Sequence, residues 1–252
     1  MGPKRVAIAA AANDEVSAAA REAQTLGIAQ CILLDDPQRL TNAAARHKID
    51  ISDMTLLAVG DPEHAALEAM RLVREGEADV VMKGTLESAT FLKAALDKDV
   101  GLRTGRLFTH VGVFEIPALG RLLLISDGGV VLSPDIYQKI EIVQNSIDVA
   151  QKLGIEQPKV AILSASELVN PKVPSTVDAA NLSKMAERGQ IRGGIVDGPL
   201  ALDNAISEAS ANIKGIKSPV AGKADILIVP DVEAGNLLAK AVMYFGRADM
   251  AG

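Results

Sequence analysis

The sequence of 252 residues contains no tryptophan, few other aromatic residues and a single cysteine. Cys31 has no partner for a disulfide within the chain and lies in a predicted apolar strand. We therefore expect an inert core thiol in a reducing, cytoplasmic compartment. No apolar run reaches the roughly 18 residues that a membrane-spanning helix needs, and the first residues lack the apolar core of a signal peptide. We expect no membrane partner.

Signatures of nucleic-acid, nucleotide and metal chemistry are also missing. The formal net charge of −6 argues against a nucleic-acid partner, although it leaves room for a local basic pocket. The histidines are scattered without the spacing of metal ligands, so we expect no bound metal ion. No G-x-G-x-x-G fingerprint, Walker loop or G-x-S-x-G elbow follows a predicted strand, and we expect no tightly bound cofactor.

The sequence does contain an alternation of short apolar runs with longer stretches of 3.6-residue period. This pattern predicts two doubly wound α/β domains, with mainly parallel sheets and helices on both faces. Two apolar strands, 107–115 and 121–126, are joined by so short a connection that we predict an antiparallel pair. Because the strand–helix rhythm breaks at this pair, we predict a first domain over residues 1–130 and a second over residues 131–252.

The most informative segment follows a predicted strand at residues 225–229. The strand ends at a proline and Asp231, and a helix with Gly235 and Asn236 in its first turns comes directly afterwards. Open α/β sheets bind ligands at such carboxyl ends of strands, and helix N-termini favour anions. A glycine inside a helix costs about 1 kcal/mol relative to alanine. Gly235 therefore predicts the close approach of a ligand or of another backbone segment.

Two loops carry cations with glycine beside them. Lys83, Gly84 and Thr85 end one predicted strand ahead of a helix, an arrangement that can hold a phosphoryl oxygen. For the tripeptide alone, an ordinary turn with a solvated lysine is the simpler interpretation. Arg103 and Arg106 lie in a loop with glycines, and guanidinium groups match phosphate geometry. A solvated basic loop explains these two arginines equally well.

Two further strand ends carry polar residues. Ser126, Asp127 and Gly128 end the second strand of the predicted antiparallel pair, and a tight turn is the alternative interpretation. Asp197 ends a strand predicted at residues 191–196. Capping of a helix that starts at Pro199 accounts for this aspartate without any ligand.

Taken together, these segments resemble the phosphate acetyl/butyryltransferase family. The resemblance rests on short strings that run in the family's order over most of the chain. They are residues 78–85 (ADVVMKGT), 90–94 (TFLKA), 101–105 (GLRTG), 110–115 (HVGVFE), 125–129 (ISDGG), 196–199 (VDGP), and Pro230-Asp231 with Gly235-Asn236. The strings around Lys83 and Arg103 look closer to the butyryltransferase branch.

The resemblance implies the reaction acyl-CoA + phosphate ⇌ CoA + acyl phosphate, with acyl-CoA and inorganic phosphate as partners and a homodimeric enzyme. It implies two α/β domains with an active-site cleft between them, similar to isocitrate and isopropylmalate dehydrogenases. The expected catalytic residues are Lys83, Arg103, Asp231 and Asn236, with Lys83 and Arg103 forming a phosphate clamp. The expected substrate-binding residues are Gly84, Thr85, Arg106, Ser126, Asp127, Gly128, Asp197 and Gly235, with Arg106 a candidate for the CoA phosphates.

The sequence departs from the family pattern at its end. Members of the family continue beyond the position of Gly252 and return to the first domain. That segment includes a Ser-Arg pair and an aspartate, which are credited with phosphate or thioester contacts and with deprotonation of CoA. No residue here is assigned those roles, and we expect residues 1–252 alone to show negligible turnover. Two alternatives stay open: a metal-dependent dehydrogenase of similar two-domain fold, and a catalytically inactive CoA-binding module.

Overall fold

The structure is a computed structural model that describes residues 2–252. The chain divides after Gly105 into two compact units. Unit 1 ends at Gly105, and unit 2 comprises Arg106–Gly252.

Unit 1 is a four-stranded parallel sheet with strand order β3-β2-β1-β4 and helices between the strands. Its elements are β1 (Lys4–Ala9), α1 (Asp14–Thr25), β2 (Ala29–Asp35), α2 (Pro37–Arg46), β3 (Thr55–Ala58), α3 (Pro62–Arg74), β4 (Val80–Lys83) and α4 (Ser88–Ala95). Asn13, Asp36 and Asp61 cap the first three helices through their side chains. Gly27 follows α1 with φ of 67°, the left-handed conformation expected of a glycine just after a helix.

Alanine fills much of the core of unit 1. Successive residues of β1 point to opposite faces, so Ala7 and Ala9 pack in one cluster with α3 and α4, whereas Ile8 packs in another with α1 and α2. Buried alanines of these clusters are Ala7, Ala9, Ala11, Ala20, Ala29, Ala44, Ala65, Ala66, Ala69, Ala78, Ala94 and Ala95. Cys31 is buried in the second cluster, and burial raises the pKa of its thiol, as expected for an inert core residue.

Unit 2 is a six-stranded mixed sheet with strand order β10-β5-β6-β9-β7-β8. Its elements are β5 (Gly112–Ile116), β6 (Arg121–Ser126), α5 (Ile136–Lys152), β7 (Lys159–Leu163), α6 (Pro174–Glu187), β8 (Ile195–Leu200), α7 (Leu202–Ile206), α8 (Glu208–Ile213), β9 (Ile226–Ile228), α9 (Val232–Tyr244) and β10 (Asp249–Ala251). Strands β6, β9, β7 and β8 are parallel, and β5 is antiparallel to both of its neighbours. The predicted fold class and the predicted antiparallel pair, β5 with β6, are confirmed.

The structure differs from the sequence expectation at the start of the antiparallel pair, at the division between the units and at β8. The first strand of the pair begins at Gly112 and not at residue 107. The division falls after Gly105 and not near residue 130, because the antiparallel pair belongs to the sheet of unit 2. The strand predicted to end at residue 196 instead runs through Asp197 and Pro199 to Leu200, where it pairs with β7. The prediction of a helix from Pro199 was wrong: α7 begins at Leu202.

Within residues 2–252, no helix is both long enough and apolar enough to cross a membrane.

Candidate active site

A cleft of about 510 Å³ opens in unit 1, where the N-terminus of α1 faces the loop that joins β4 to α4. Its volume lies in the range typical of small-molecule sites. The residues that line it are Asn13, Glu15, Val16, Lys83, Gly84, Thr85, Leu86 and Glu87. The structure thus brings Lys83, Gly84 and Thr85 together at a carboxyl edge of the sheet, where sequence reasoning placed a ligand.

Gly84 is explained by backbone packing. Its N–H donates to the carbonyl oxygen of Ala9 at 2.8 Å, and the N–H of Thr85 donates to that of Ala10 at 2.8 Å. A Cβ atom on Gly84 would lie 2.7 Å from the oxygen of Ala9, so no side chain fits here. Ala10 itself adopts a φ of 55°, a left-handed conformation that costs a non-glycine residue about 1–2 kcal/mol. The floor of the cleft is therefore a fixed and strained piece of backbone.

Lys83 supplies the cation of the cleft. Its Nζ donates to the carbonyl oxygen of Leu86 at 2.9 Å, which holds the ammonium over the loop and leaves two further N–H donors. Lys83 is exposed, and none of the ion pairs within residues 2–252 includes it. The charge of the cleft is mixed, because Glu15 and Glu87 also line it.

The helix that starts at the cleft has open N–H groups. Helix α4 begins at Ser88, and its N-cap residue, Glu87, makes no side-chain cap. Helix α1 differs, since Asn13 accepts from the N–H groups of Glu15 and Val16. An anion in the cleft therefore meets Lys83 and the N-terminus of α4.

The two loop arginines have different surroundings. Arg103 lies outside the lining of the cleft, is exposed, and forms no ion pair within the described part of the chain. The turn before it is anchored, because Arg74 donates to the carbonyl oxygen of Gly101 at 3.0 Å. Arg106 lies in unit 2 and donates to Asp148 at 2.7 Å. Burial opposes ionisation of Asp148, but hydrogen bonds from Arg106 and Gln144 outweigh it and lower the pKa of the carboxyl.

At the end of β6, two predicted site residues bind the protein's own backbone. Ser126 is fully buried, and its hydroxyl donates to the carbonyl oxygen of His110 at 2.7 Å. Asp127 is 2% exposed, and its carboxylate accepts from the N–H groups of His110, Gly129 and Val130 at 2.8–2.9 Å. These side chains position the end of β6 and the segment beside it.

The glycine of α9 is explained by a backbone contact. A Cβ atom on Gly235 would lie 2.7 Å from the Cα of Gly128 and 2.9 Å from the carbonyl oxygen of Asp127. The prediction of a close approach at Gly235 is confirmed, and the partner is the backbone at the end of β6. Asn236 is exposed beside this contact, and its side-chain amide donates to the carbonyl oxygen of Gly128 at 3.4 Å.

Asp231 is the N-cap of α9. Its Oδ1 accepts from the N–H of Ala234 at 2.9 Å, and the N–H of Val232 donates to the carbonyl oxygen of Leu132 at 3.1 Å. The N–H groups of Val232 and Ala234, which the sequence suggested as donors to an anion, are therefore already bound within the protein.

Asp197 lies within β8, opposite Ala161 of β7, and its carboxylate accepts from the N–H of Gly198 at 2.9 Å. The alternative interpretation of Asp197 as a helix cap is therefore wrong, since α7 begins later and has no side-chain cap.

Sequence reasoning missed the α1 side of the cleft and the surroundings of His110. Asn13 had a usable signal, because a capping residue after a run of alanines marks the end of β1. His110 had only its residue type and its place at the start of the 110–115 string of the family resemblance. Within residues 2–252, no group of three or more His, Cys, Asp or Glu side chains is arranged to hold a metal ion.

Comparison with known proteins gives one consistent result. A family model described as "Phosphate acetyl/butaryl transferase" matches residues 59–252. The phosphate butyryltransferase of Clostridium acetobutylicum is 48% identical over 241 residues, which cover 96% of this chain and 80% of that protein. The phosphate acetyltransferase of Rhizobium meliloti is 45% identical over 248 residues, covering 98% of this chain and 78% of the relative.

Among solved structures, a branched-chain phosphotransacylase from Enterococcus faecalis V583 superposes with a TM-score of 0.85 at 33% identity. The superposition covers 98% of this chain and 87% of that one. On these matches, which extend over nearly the whole sequence, the chain belongs to the phosphate acetyl/butyryl transferase family.

Proposed function

We propose that the protein is a phosphate acyltransferase that reversibly transfers a short acyl group, acetyl or butyryl, between CoA and inorganic phosphate. The observation that carries this proposal is the near full-length match to phosphate butyryltransferases and acetyltransferases. CoA is a substrate in this reaction, and the chemistry needs no tightly bound cofactor.

The reaction requires three things of the protein. The CoA sulfur attacks the carbonyl carbon of the acyl phosphate, a tetrahedral oxyanion forms, and its collapse expels phosphate. The enzyme must hold the phosphoryl group, stabilise the oxyanion and accept the thiol proton. In unit 1, Lys83 and the uncapped N-terminus of α4 attract an anion, and the hydroxyl of Thr85 offers a further donor. We propose that this cleft holds the phosphoryl group and that Arg103 contributes a second cation.

For unit 2 we propose narrower roles than the sequence suggested. Asn236 is the exposed polar residue at the Gly128–Gly235 contact, and we retain it as a substrate contact. Asp231 and Asp127 act through the backbone that they hold. Asp197 stays a weaker candidate on β8, and Arg106 contacts substrate only if it leaves its ion pair with Asp148.

The function is tested with the purified full-length protein. Acetyl-CoA or butyryl-CoA with millimolar phosphate should release free thiol without added metal, and arsenate should replace phosphate. We expect Lys83→Ala and Arg103→Ala each to raise the KM for phosphate about 10- to 100-fold, with a much smaller change for CoA. The reason is that a hydrogen bond to a charged group is worth about 1.5–3 kcal/mol.

Lys217→Ala, at an exposed loop lysine of unit 2, is the matched control and should behave as the wild type. An inactive wild type across a panel of short acyl-CoAs contradicts the function. An active wild type with normal phosphate kinetics in both clamp variants contradicts only the assignment of the clamp.

We also propose a homodimer that uses the outer face of α9. Leu237 is 70% exposed, Tyr244 78% and Phe245, just after the helix, 89%. Positions 237, 244 and 245 fall on one side of a helix of 3.6 residues per turn, and exposed apolar clusters of this kind mark association sites. The resemblance to homodimeric transferases favours a second copy of the chain as the occupant.

We expect Tyr244→Glu to reduce the mass measured by light scattering after size exclusion from that of a dimer to that of a monomer. Ile213→Glu is the control, since Ile213 is 87% exposed at the end of α8. A Tyr244→Glu variant of unchanged mass would place the interface elsewhere.

We also propose a cytoplasmic location. The protein has a single cysteine, Cys31, whose thiol is free and buried, and a free thiol suits a reducing compartment.

A further inference from the structure

His110 lies at the edge of the unit 2 sheet where β6 ends. It precedes β5 by two positions, and Gly112 of β5 pairs with Ile125 of β6, so His110 is opposite the end of β6. Its backbone is held on both sides: the N–H donates to Asp127 at 2.9 Å, and the carbonyl accepts from Ser126 at 2.7 Å. Two buried polar side chains are thus committed to one residue of irregular structure.

The segment before His110 is held as well. Asn145 of α5 donates from its side-chain amide to the carbonyl oxygen of Leu107 and to the hydroxyl of Thr109, both at 3.0 Å. Fixing the backbone of an irregular segment costs conformational entropy, and residues 107–110 belong to no strand or helix whose hydrogen bonds would offset it. Ser126, Asp127 and Asn145 are polar side chains at positions that apolar residues could have filled, and together they fix the backbone at and before His110.

The imidazole of His110 is held at a further cost. It packs on Gly129, where a Cβ atom would lie 3.2 Å from its Cγ. On the other side, a Cβ atom on Gly252 would lie 3.4 Å from Nε2. Nδ1 is buried and has no hydrogen-bond partner within residues 2–252. Unpaired buried polar atoms are rare in native structures and destabilise them. The residue as a whole is half-buried and is not fully enclosed by the protein.

We propose that His110 is a further catalytic residue of the transferase, whose imidazole donates a hydrogen bond to an anionic oxygen of the substrate. Ser126, Asp127 and Asn145 are positioning residues that act through it. The inference rests on the proposed function. The oxygen is either that of the tetrahedral intermediate or one on the phosphoryl group. As the carbon–sulfur bond forms, the carbonyl electron pair moves to oxygen, and it returns when the carbon–oxygen bond to phosphate breaks. His110 gives a hydrogen bond throughout and transfers no proton.

The test compares variants of His110 with a histidine elsewhere. We expect His110→Ala to lower kcat about 100- to 1000-fold, the effect of removing one oxyanion donor. Added imidazole should restore part of the activity. His110→Gln or His110→Asn should retain more activity than alanine, because their amide N–H groups fall near Nε2 and Nδ1 respectively. His64→Ala, exposed in unit 1, is the matched control and should leave kcat unchanged.

The kinetic constants identify the oxygen. A loss confined to kcat assigns the hydrogen bond to the tetrahedral intermediate, whereas a raised KM for phosphate assigns it to the phosphoryl group. Ser126→Ala should lower kcat in the same sense but less, and imidazole should not rescue it.

Two results overturn the inference while the proposed function stands. One is a His110→Ala variant within threefold of the wild type in both constants. The other is a loss of activity that neither imidazole nor either amide variant relieves, since that pattern indicates a purely structural residue. Circular dichroism and Tm show whether each variant is folded. If His110→Ala does not fold, the comparison of His110→Gln and His110→Asn with the wild type still tests the inference. An inactive wild type overturns the proposed function and this inference together.

Discussion

Gly235→Val should be among the most damaging single substitutions in unit 2, with a loss of more than about 3 kcal/mol in the free energy of unfolding. A Cβ atom at this position meets the Cα of Gly128 at 2.7 Å, the side chain of Val229 at 2.8 Å and the carbonyl oxygen of Asp127 at 2.9 Å. Two of these contacts are with backbone at the end of β6, which cannot move aside as a flexible side chain does. Overpacking typically costs about 1–3 kcal/mol, and a branched side chain against backbone exceeds that.

The measurement is thermal and denaturant unfolding of Gly235→Val and Gly235→Ala. We expect Tm to fall by about 5–10 °C for valine and by less for alanine, which regains about 1 kcal/mol of helix propensity. Gly60→Ala is the control, because a Cβ atom there meets nothing within 4 Å. If valine at position 235 is as stable as the control variant, the contact between α9 and β6 does not have the geometry described.

Asp127→Ala is expected to cost about 3 kcal/mol or more, although the substitution removes a charge that is almost fully buried. The carboxylate accepts from three backbone N–H groups, and the loss of its oxygens leaves all three without a partner. Asp127→Asn keeps one acceptor oxygen and should be intermediate. The fold of the His110 segment depends on the same carboxylate, so activity should fall together with stability.

Asp231→Ala provides a matched comparison for that prediction. This aspartate accepts a single N–H, that of Ala234, as the N-cap of α9. The loss of an N-cap costs about 0.5–2 kcal/mol. Urea unfolding of the two alanine variants should therefore rank Asp127 well above Asp231. The reverse order would show that the three bonds to Asp127 are weaker than their 2.8–2.9 Å lengths indicate.

Much of the fold follows from local patterns in the sequence. The period of apolar residues predicts the strand–helix units, and the short connection before Arg121 predicts the antiparallel pair. Gly235 predicts a close contact because glycine is unfavourable inside a helix. These features are local, so a single sequence contains the information for them.

Other features depend on which strand pairs with which, and a local pattern does not contain that information. Asp197 and Pro199 are typical of a helix start, but the pairing of Asp197 and Leu200 with β7 keeps this segment in a strand across an irregularity. The boundary between the units depends on the pairing of β6 with β9, strands that are far apart in the sequence. His110, which binds both Ser126 and Asp127, belongs to the segment before β5, so this pairing is not visible in the local sequence. The bonds of Asp127 to Gly129 and Val130 are local and agree with the tight turn that the sequence offered as the alternative.

Because buried alanines fill much of the core of unit 1, its stability should respond differently to smaller and to larger substitutions at these positions. Alanine loses no side-chain entropy on burial and leaves little cavity when it is shortened to glycine, so the main cost of a truncation here is the roughly 1 kcal/mol by which glycine is less favourable than alanine in a helix. Enlargement is different, because these alanines are at most 5% exposed and a closely packed core has no free volume for a larger side chain. Random substitution at these buried alanines should therefore yield a tolerated set limited first by volume, and serine should be tolerated only where its hydroxyl finds a hydrogen-bond partner.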